Sequence, residues 1–246
     1  MEGYDHRVMI NEQPTQQETR PTTPEPSSGR LQVLATEHWS LLATRSLTYM
    51  ESFSRVSMFL TVLTGAVVAL ALFAQVDHFH ATFQMAAILI LTVVVFVGLV
   101  TIGRVSTLNR ENFQLVAGMN RLRRAYLEAY PDVEPYFVAG SHDDLRGFQL
   151  TMNLPGFAKP SSPMTMMTQG LQTLPAMLGV IVSLVAGLLG ALVATSFGAS
   201  TATSVVVAAV IFFLLNVLLA AVSQRAFFKF VRTMPARFPS PSGPPA

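Results

Sequence analysis

"VSTLNRENFQLVAGMNRLRRAYLEAYPDVE", residues 105–134, is the stretch whose reading decides the fold. It is the most charged part of an apolar chain, and it follows directly on Ala81 to Gly103, 23 residues without an ionisable side chain. Counted from Val105, the residues Leu108, Asn112, Leu115, Met119, Leu122, Tyr126 and Ala129 recur at alternating steps of three and four. That is the a/d seam of a heptad pattern. The spacing predicts that the apolar run does not stop where its charges begin. It continues as one helix to Ala129, about 38 Å further at about 1.5 Å per residue. Pro131 ends it, and Tyr130 before the proline is driven out of helical geometry.

Such a seam needs a partner, and the residues before the first apolar run supply one. "LQVLATEHWSLLATRSLTYMESFSR", residues 31–55, places Leu31, Leu34, Ala35, Leu42, Tyr49 and Phe53 on one side at helical spacing, interrupted by His38 and Arg45. With a tight turn near residue 79, two antiparallel helices bring Glu37 near Arg121, Arg45 near Glu111, and Glu51 near Arg104 and Arg110. Opposite charges meet each time. Exposed pairs contribute only about 0.2–1 kcal/mol, so their agreement speaks for register more than for stability. Asn112 falls beside Arg45 and Ser46, as the polar break that fixes register in an apolar seam.

The apolar runs set the class. Val56 to Val76 holds 21 residues without an ionisable group, and a third run extends 65 residues from Pro160 to Gln224. Each of the first two can cross a hydrocarbon core of about 30 Å as a helix. The third is too long for one crossing and breaks at "SFGASTATS", residues 196–204, into spans near Leu174 to Thr195 and Ala202 to Val222. Pro175 suits a first helical turn, with Thr173 at the cap. The expectation is an all-α membrane protein with four transmembrane helices in two hairpins. The first hairpin is extended into a cytoplasmic antiparallel two-helix stalk. Only 12% of the chain is charged, half the proportion of an ordinary soluble domain.

All 16 Lys and Arg lie in three segments: five before the first run, seven between the second and third, four after the last. Neither hairpin turn holds one. This is the positive-inside pattern of a bacterial inner-membrane protein with cytoplasmic N- and C-termini. The boundaries that follow are a disordered tail over 1–30, a long hairpin over 31–130, a cytoplasmic or interfacial connector over 131–173, a second hairpin over 174–233 and a loose Pro-rich tail over 234–246. The opening tail lacks the basic and apolar regions of a signal peptide. Phe227, Phe228 and Phe230, between Arg225, Lys229 and Arg232, read as an interfacial collar.

Chemistry is sparse. The spans hold no ionisable group at mid-depth, which argues against proton-coupled transport. Asn216 is the amide well inside a span, suited to a bond across helices. Thr61, Thr64 and Ser183 can bond carbonyls of their own helices. Gly179, Ser183, Gly187, Ala191 and Thr195 form a small-residue ridge for close helix packing, within the four-helix unit or, as the sharper use, between subunits. "RLRR", residues 121–124, reads as a solvated face, because the central segment holds seven basic and six acidic residues; nucleic acid is not an expected partner. In "GSHDDLRG", residues 140–147, Ser141 and Asp144 read as a helix cap, with an enzyme using His142, Asp143 and Asp144 as the sharper alternative. "DHFH", residues 77–80, offers too few ligands for a closed metal site, and Met164, Met166, Met167 and Met177 read as an adaptable re-entrant or interfacial segment in preference to a thioether copper path. No cysteine and no phosphate loop or hydrolase motif is present, so no cofactor is expected.

"VAGMNRLRRAYLE" and "PYFVAGSHDD", set between the two hairpins, resemble segments of bacterial four-span membrane proteins. The likeness covers about residues 31–225 and implies the four-span arrangement but no activity. At the level of fold alone, paired spans with a cytoplasmic helical region also look like bacterial defence or stress effectors. Three functions are therefore expected in order. The first is a structural or regulatory membrane protein whose stalk binds its own copies or a protein partner. The second is an oligomeric channel or membrane effector gated through the stalk. The third is the enzyme.

Overall fold

The computed structural model describes residues 28–77, 81–152 and 173–241. Most of the 1–30 tail, the turn residues 78–80, the side chain of Asp77, Met164, Met166, Met167 and the last five residues lie outside them, with the expectations attached to each.

The described residues are all-helical. Helix α1 runs Ser28–Asp77 and α2 runs Ala81–Ala129. A 3₁₀ turn, Pro131–Tyr136, follows, then a short α3, Leu145–Met152. Helices α4, Leu174–Ser196, and α5, Thr201–Thr233, complete the chain. Helices α1, α2, α4 and α5 are each long and apolar enough to cross a membrane, which makes this a multi-pass membrane protein.

Local chemistry explains the boundaries. Tyr130 is extended at φ −138° and ψ 84°, and Pro131 opens the 3₁₀ turn. Gly198 closes α4 at φ +81°, a conformation that suits glycine. The Ser200 hydroxyl accepts from the Thr203 amide at 3.2 Å and caps α5. Thr173 takes the N-cap position of α4 ahead of Pro175. The α3 cap differs from expectation: Asp144, not Ser141, receives the Gly147 amide at 2.8 Å.

Helix α2 is the axis of the packing. It lies against α1 on one side and α4 on the other, and α5 covers α4. Along α1 and α2, Phe59 meets Gly98, Glu51 meets Arg104, Arg45 meets Asn112 and Leu41 meets Gly118. The number falls on α1 as it rises on α2, so the two run antiparallel in nearly constant register.

The apolar core gathers Phe59 from α1, Leu91, Val94, Ile102 and Val105 from α2, and Leu178, Val182 and Val185 from α4. At its centre is Gly98, where a Cβ would run into the Val182 side chain and come within 3.0 Å of Phe59. In lipid, apolar burial does not drive helices together; close packing does, and the missing side chain permits it. Gly187 does the same for α4 and α5, since a Cβ there would sit 2.8 Å from the Ala208 carbonyl oxygen. Of the small-residue ridge, Gly187 thus packs on Ala208 and Gly179 faces Leu219.

Two span residues behave otherwise than expected. Asn216 donates to the Phe212 carbonyl of its own helix at 2.9 Å rather than across helices. Ser183 is fully buried, and among the described residues its hydroxyl has no hydrogen-bond partner. Gln84 makes the cross-helix bonds instead, to the Leu192 carbonyl at 3.0 Å and the Thr195 hydroxyl at 2.9 Å. Thr61 bonds the Ser57 carbonyl at 2.9 Å, a self-satisfied span hydroxyl.

Candidate functional site

Beyond the apolar runs, α1 and α2 continue together over residues 28–55 and 104–129. These outer halves carry the polar chemistry. Leu108, Asn112 and Met119 are buried there, and Leu115, Leu122 and Tyr126 are half-buried. A second small core of Val116, Ala117 and Phe148, with Phe113, Met152 and Met234 against it, ties α3 and the end of α5 to the same segment of α2. Phe227 reaches this core: its ring lies 5.4 Å from Phe113, which meets Phe148 edge-on at 5.7 Å.

Asn112 reads α1 with both ends of its amide. Its Oδ1 accepts from Arg45 Nε at 3.0 Å, and its Nδ2 donates to the Tyr49 hydroxyl at 3.3 Å. The Arg45 guanidinium also lies over the Tyr49 ring, 5.5 Å from its centre. Nearer the membrane, Glu51 accepts from Arg104 Nε and Nη2 at 2.9 and 3.0 Å and from Arg55 at 2.9 Å. Those bonds, Arg104 first, hold the Glu51 carboxyl below its ordinary range.

The other expected charge pairs rearrange. Arg104 also takes Glu111, at 3.5 Å, so Glu111 does not pair with Arg45. Arg110 turns to the Thr107 hydroxyl at 3.3 Å. Arg121 leaves Glu37 and donates to Asp143 at 2.6 Å. The reason is burial: the Asp143 side chain has no exposed surface. An unpaired buried carboxylate costs several kcal/mol, against about 0–1 kcal/mol for an exposed pair.

Asp143 and Asp144 form the most saturated polar site. Asp143 Oδ2 accepts from Arg121 and from the Arg237 amide at 3.0 Å, and its Oδ1 accepts from the Phe238 amide at 2.8 Å. Asp144 Oδ2 accepts from the Ser240 amide at 2.7 Å, and its Oδ1 accepts from the Ser240 hydroxyl at 2.9 Å and the Gly147 amide. Burial pushes both carboxyls up. The amide bonds, with Arg121 for Asp143 and the Ser240 hydroxyl for Asp144, outweigh it and hold both below the usual range. Residues 237–240, which their Pro-rich composition predicts to be loose, are therefore tied to the loop after the 3₁₀ turn.

Asn120 anchors that loop to α2. Its Nδ2 donates to the His142 carbonyl at 2.8 Å, and its Oδ1 accepts from Arg123 at 2.7 Å and Thr151 at 2.9 Å. Asn120 is fully buried and was not among the residues expected from sequence. The loop crosses α3 at two glycines: a Cβ on Gly140 would meet the Gly147 carbonyl oxygen at 2.8 Å, and one on Gly147 would overlap the His142 carbonyl.

On α1, His38 stacks with Tyr126, ring centres 6.1 Å apart. Burial, then the Arg123 cation, pushes the His38 imidazole down. Among the described residues no group of three or more His, Asp or Glu could hold a metal ion. No family model, no curated protein and no solved structure matches this chain.

Proposed function

We propose that this chain is a structural or regulatory protein of the bacterial inner membrane. Its outer halves form a cytoplasmic two-helix stalk, continuous with the first of two membrane hairpins, that serves association with a partner or with its own copies. The observation that carries this reading is the unbroken extension of α1 and α2 past their apolar runs, held in register by the buried Asn112 on Arg45 and Tyr49. A buried polar contact of this kind specifies pairing more than it stabilises it. The one-sided placement of all 16 Lys and Arg supports the cytoplasmic orientation.

The bonds at Asp143 and Asp144 favour this reading over the enzymatic one. All four carboxylate oxygens already accept bonds from the chain itself, leaving Asp143 buried and engaged where a general base would need to reach a substrate. The pair acts as a clamp on residues 237–240.

Cross-linking within the chain tests the stalk. The chain has no cysteine, so Leu41→Cys with Gly118→Cys is a clean pair. Leu41 Cδ1 lies 3.0 Å from where a Cβ on Gly118 would stand, so the pair should link with a short bis-maleimide in membranes. Failure to link, with both thiols reactive singly, would refute the stalk.

A further inference from the structure

Helix α1 carries a second seam. Thr36, Trp39, Ala43, Ser46, Met50 and Phe53 follow one another at steps of three, four, three, four and three, the a/d spacing of a coiled coil. All six are exposed, Trp39 to 71%, Met50 to 65% and Phe53 to 58%. They face away from α2, which is met by Leu41, Arg45 and Phe59; Phe53, expected on the α2 side with Leu42, is exposed on this outer face and Leu42 flanks it.

The flanking positions Ser40, Leu42, Leu47 and Tyr49 are uncharged. Glu37, Arg45, Glu51 and Arg55, the charges of this part of α1, all fall outside the seam and its flanks at this spacing. A charge-free strip bearing Trp, Met and Phe, on a helix segment that elsewhere carries charge, is a surface built to be covered.

Two features select the occupant. First, α1 is one helix from Ser28 to Asp77 and contains an apolar run long enough to span a bilayer. The membrane therefore fixes its direction and height. Two copies in one bilayer present the same residue at the same level, parallel and in register, as a two-fold coiled coil requires. Second, pairing with an identical face requires that no like charges meet across the seam or its flanks, and none does. Ala43 and Ser46 permit close approach between the bulky layers at Trp39 and at Met50 and Phe53.

We propose that two copies of this chain associate through a parallel, two-fold pairing of this α1 face. The proposal rests on the stalk reading above and names its partner.

Single cysteines in the full chain, oxidised in the membranes where it is expressed, test it. Ala43→Cys lies on the seam; Thr44→Cys is also exposed but off it. Ala43→Cys should give a disulfide-linked dimer several-fold more abundant than Thr44→Cys, and adding Met50→Glu, which sets like charges face to face, should abolish it. Equal yields at the two positions, no dimer at position 43, a dimer that survives Met50→Glu, or linkage of position 43 only to a different protein would each overturn the pairing. The internal Leu41–Gly118 link separates the two ideas. If it forms while position 43 gives no dimer, the pairing alone fails; if it also fails, the stalk falls with it.

Discussion

Asp143 couples a fully buried carboxylate to one guanidinium and two backbone amides on a segment almost a hundred residues away. Asp143→Ala strips partners from all three donors and should destabilise the protein by about 2–3 kcal/mol, less than a fully enclosed pair because Arg121 reaches water; thermal unfolding in detergent reads this. The sign with pH follows from the shifts. Both acids are held below their ordinary value, so their contribution is complete above about pH 4 and is lost as pH falls through the depressed native values. Protection of the Phe238 and Ser240 amides, taken as exchange relative to the intrinsic rate at each pH, should be high at neutrality and fall in that acid window. His38 is lowered as well, so its neutral form favours the fold and stability declines as pH drops through about 6.5; His38→Gln should remove that slope from a plot of Tm against pH. None of the Asp143 contacts was legible in the sequence. Its partners are mostly backbone amides, which carry no residue signature, and a tail of Pro and Ser advertises looseness. Asn112 was legible because it interrupts a seam; Asn120 lies off that seam, signalled only by the small residues Ala117 and Gly118 beside it.

At the scale of elements, the helix ends were readable because proline and glycine act locally. Pro131 and Gly198 stop helices by their own backbone limits, wherever the rest of the chain goes. The long continuation of α2 was likewise carried by spacing alone. The exchange of ion-pair partners was not, because it depends on which carboxylate is buried, a tertiary property. Close approach of three helices at Gly98 makes a sharp prediction: Gly98→Ala should cost about 1–3 kcal/mol, since Val182 and Phe59 must give way. Gly103→Ala, with open space around it, should be neutral or slightly stabilising through helix propensity. Comparing the melting temperatures of the two variants separates packing at the crossing from a general intolerance of bulk in α2.

For the whole molecule, four membrane-length helices are joined to outer segments in which polar contacts tie α1 to α2, and separate ones tie α2, α3 and residues 237–240 to the 140–144 loop. Span number followed from run length, and sidedness was inferred from charge placement. The tie between the C-terminal segment and the 140–144 loop came only with the fold. That tie demands that both lie on one side of the bilayer, the same side as the outer halves of α1 and α2. Labelling single cysteines with a membrane-impermeant maleimide, in intact cells and in inverted vesicles, tests this most directly. Thr44→Cys and Tyr136→Cys should react only in inverted vesicles, and Ala199→Cys only in intact cells. Labelling of position 44 or 136 from outside, or of position 199 from the cytoplasmic face, would contradict the account.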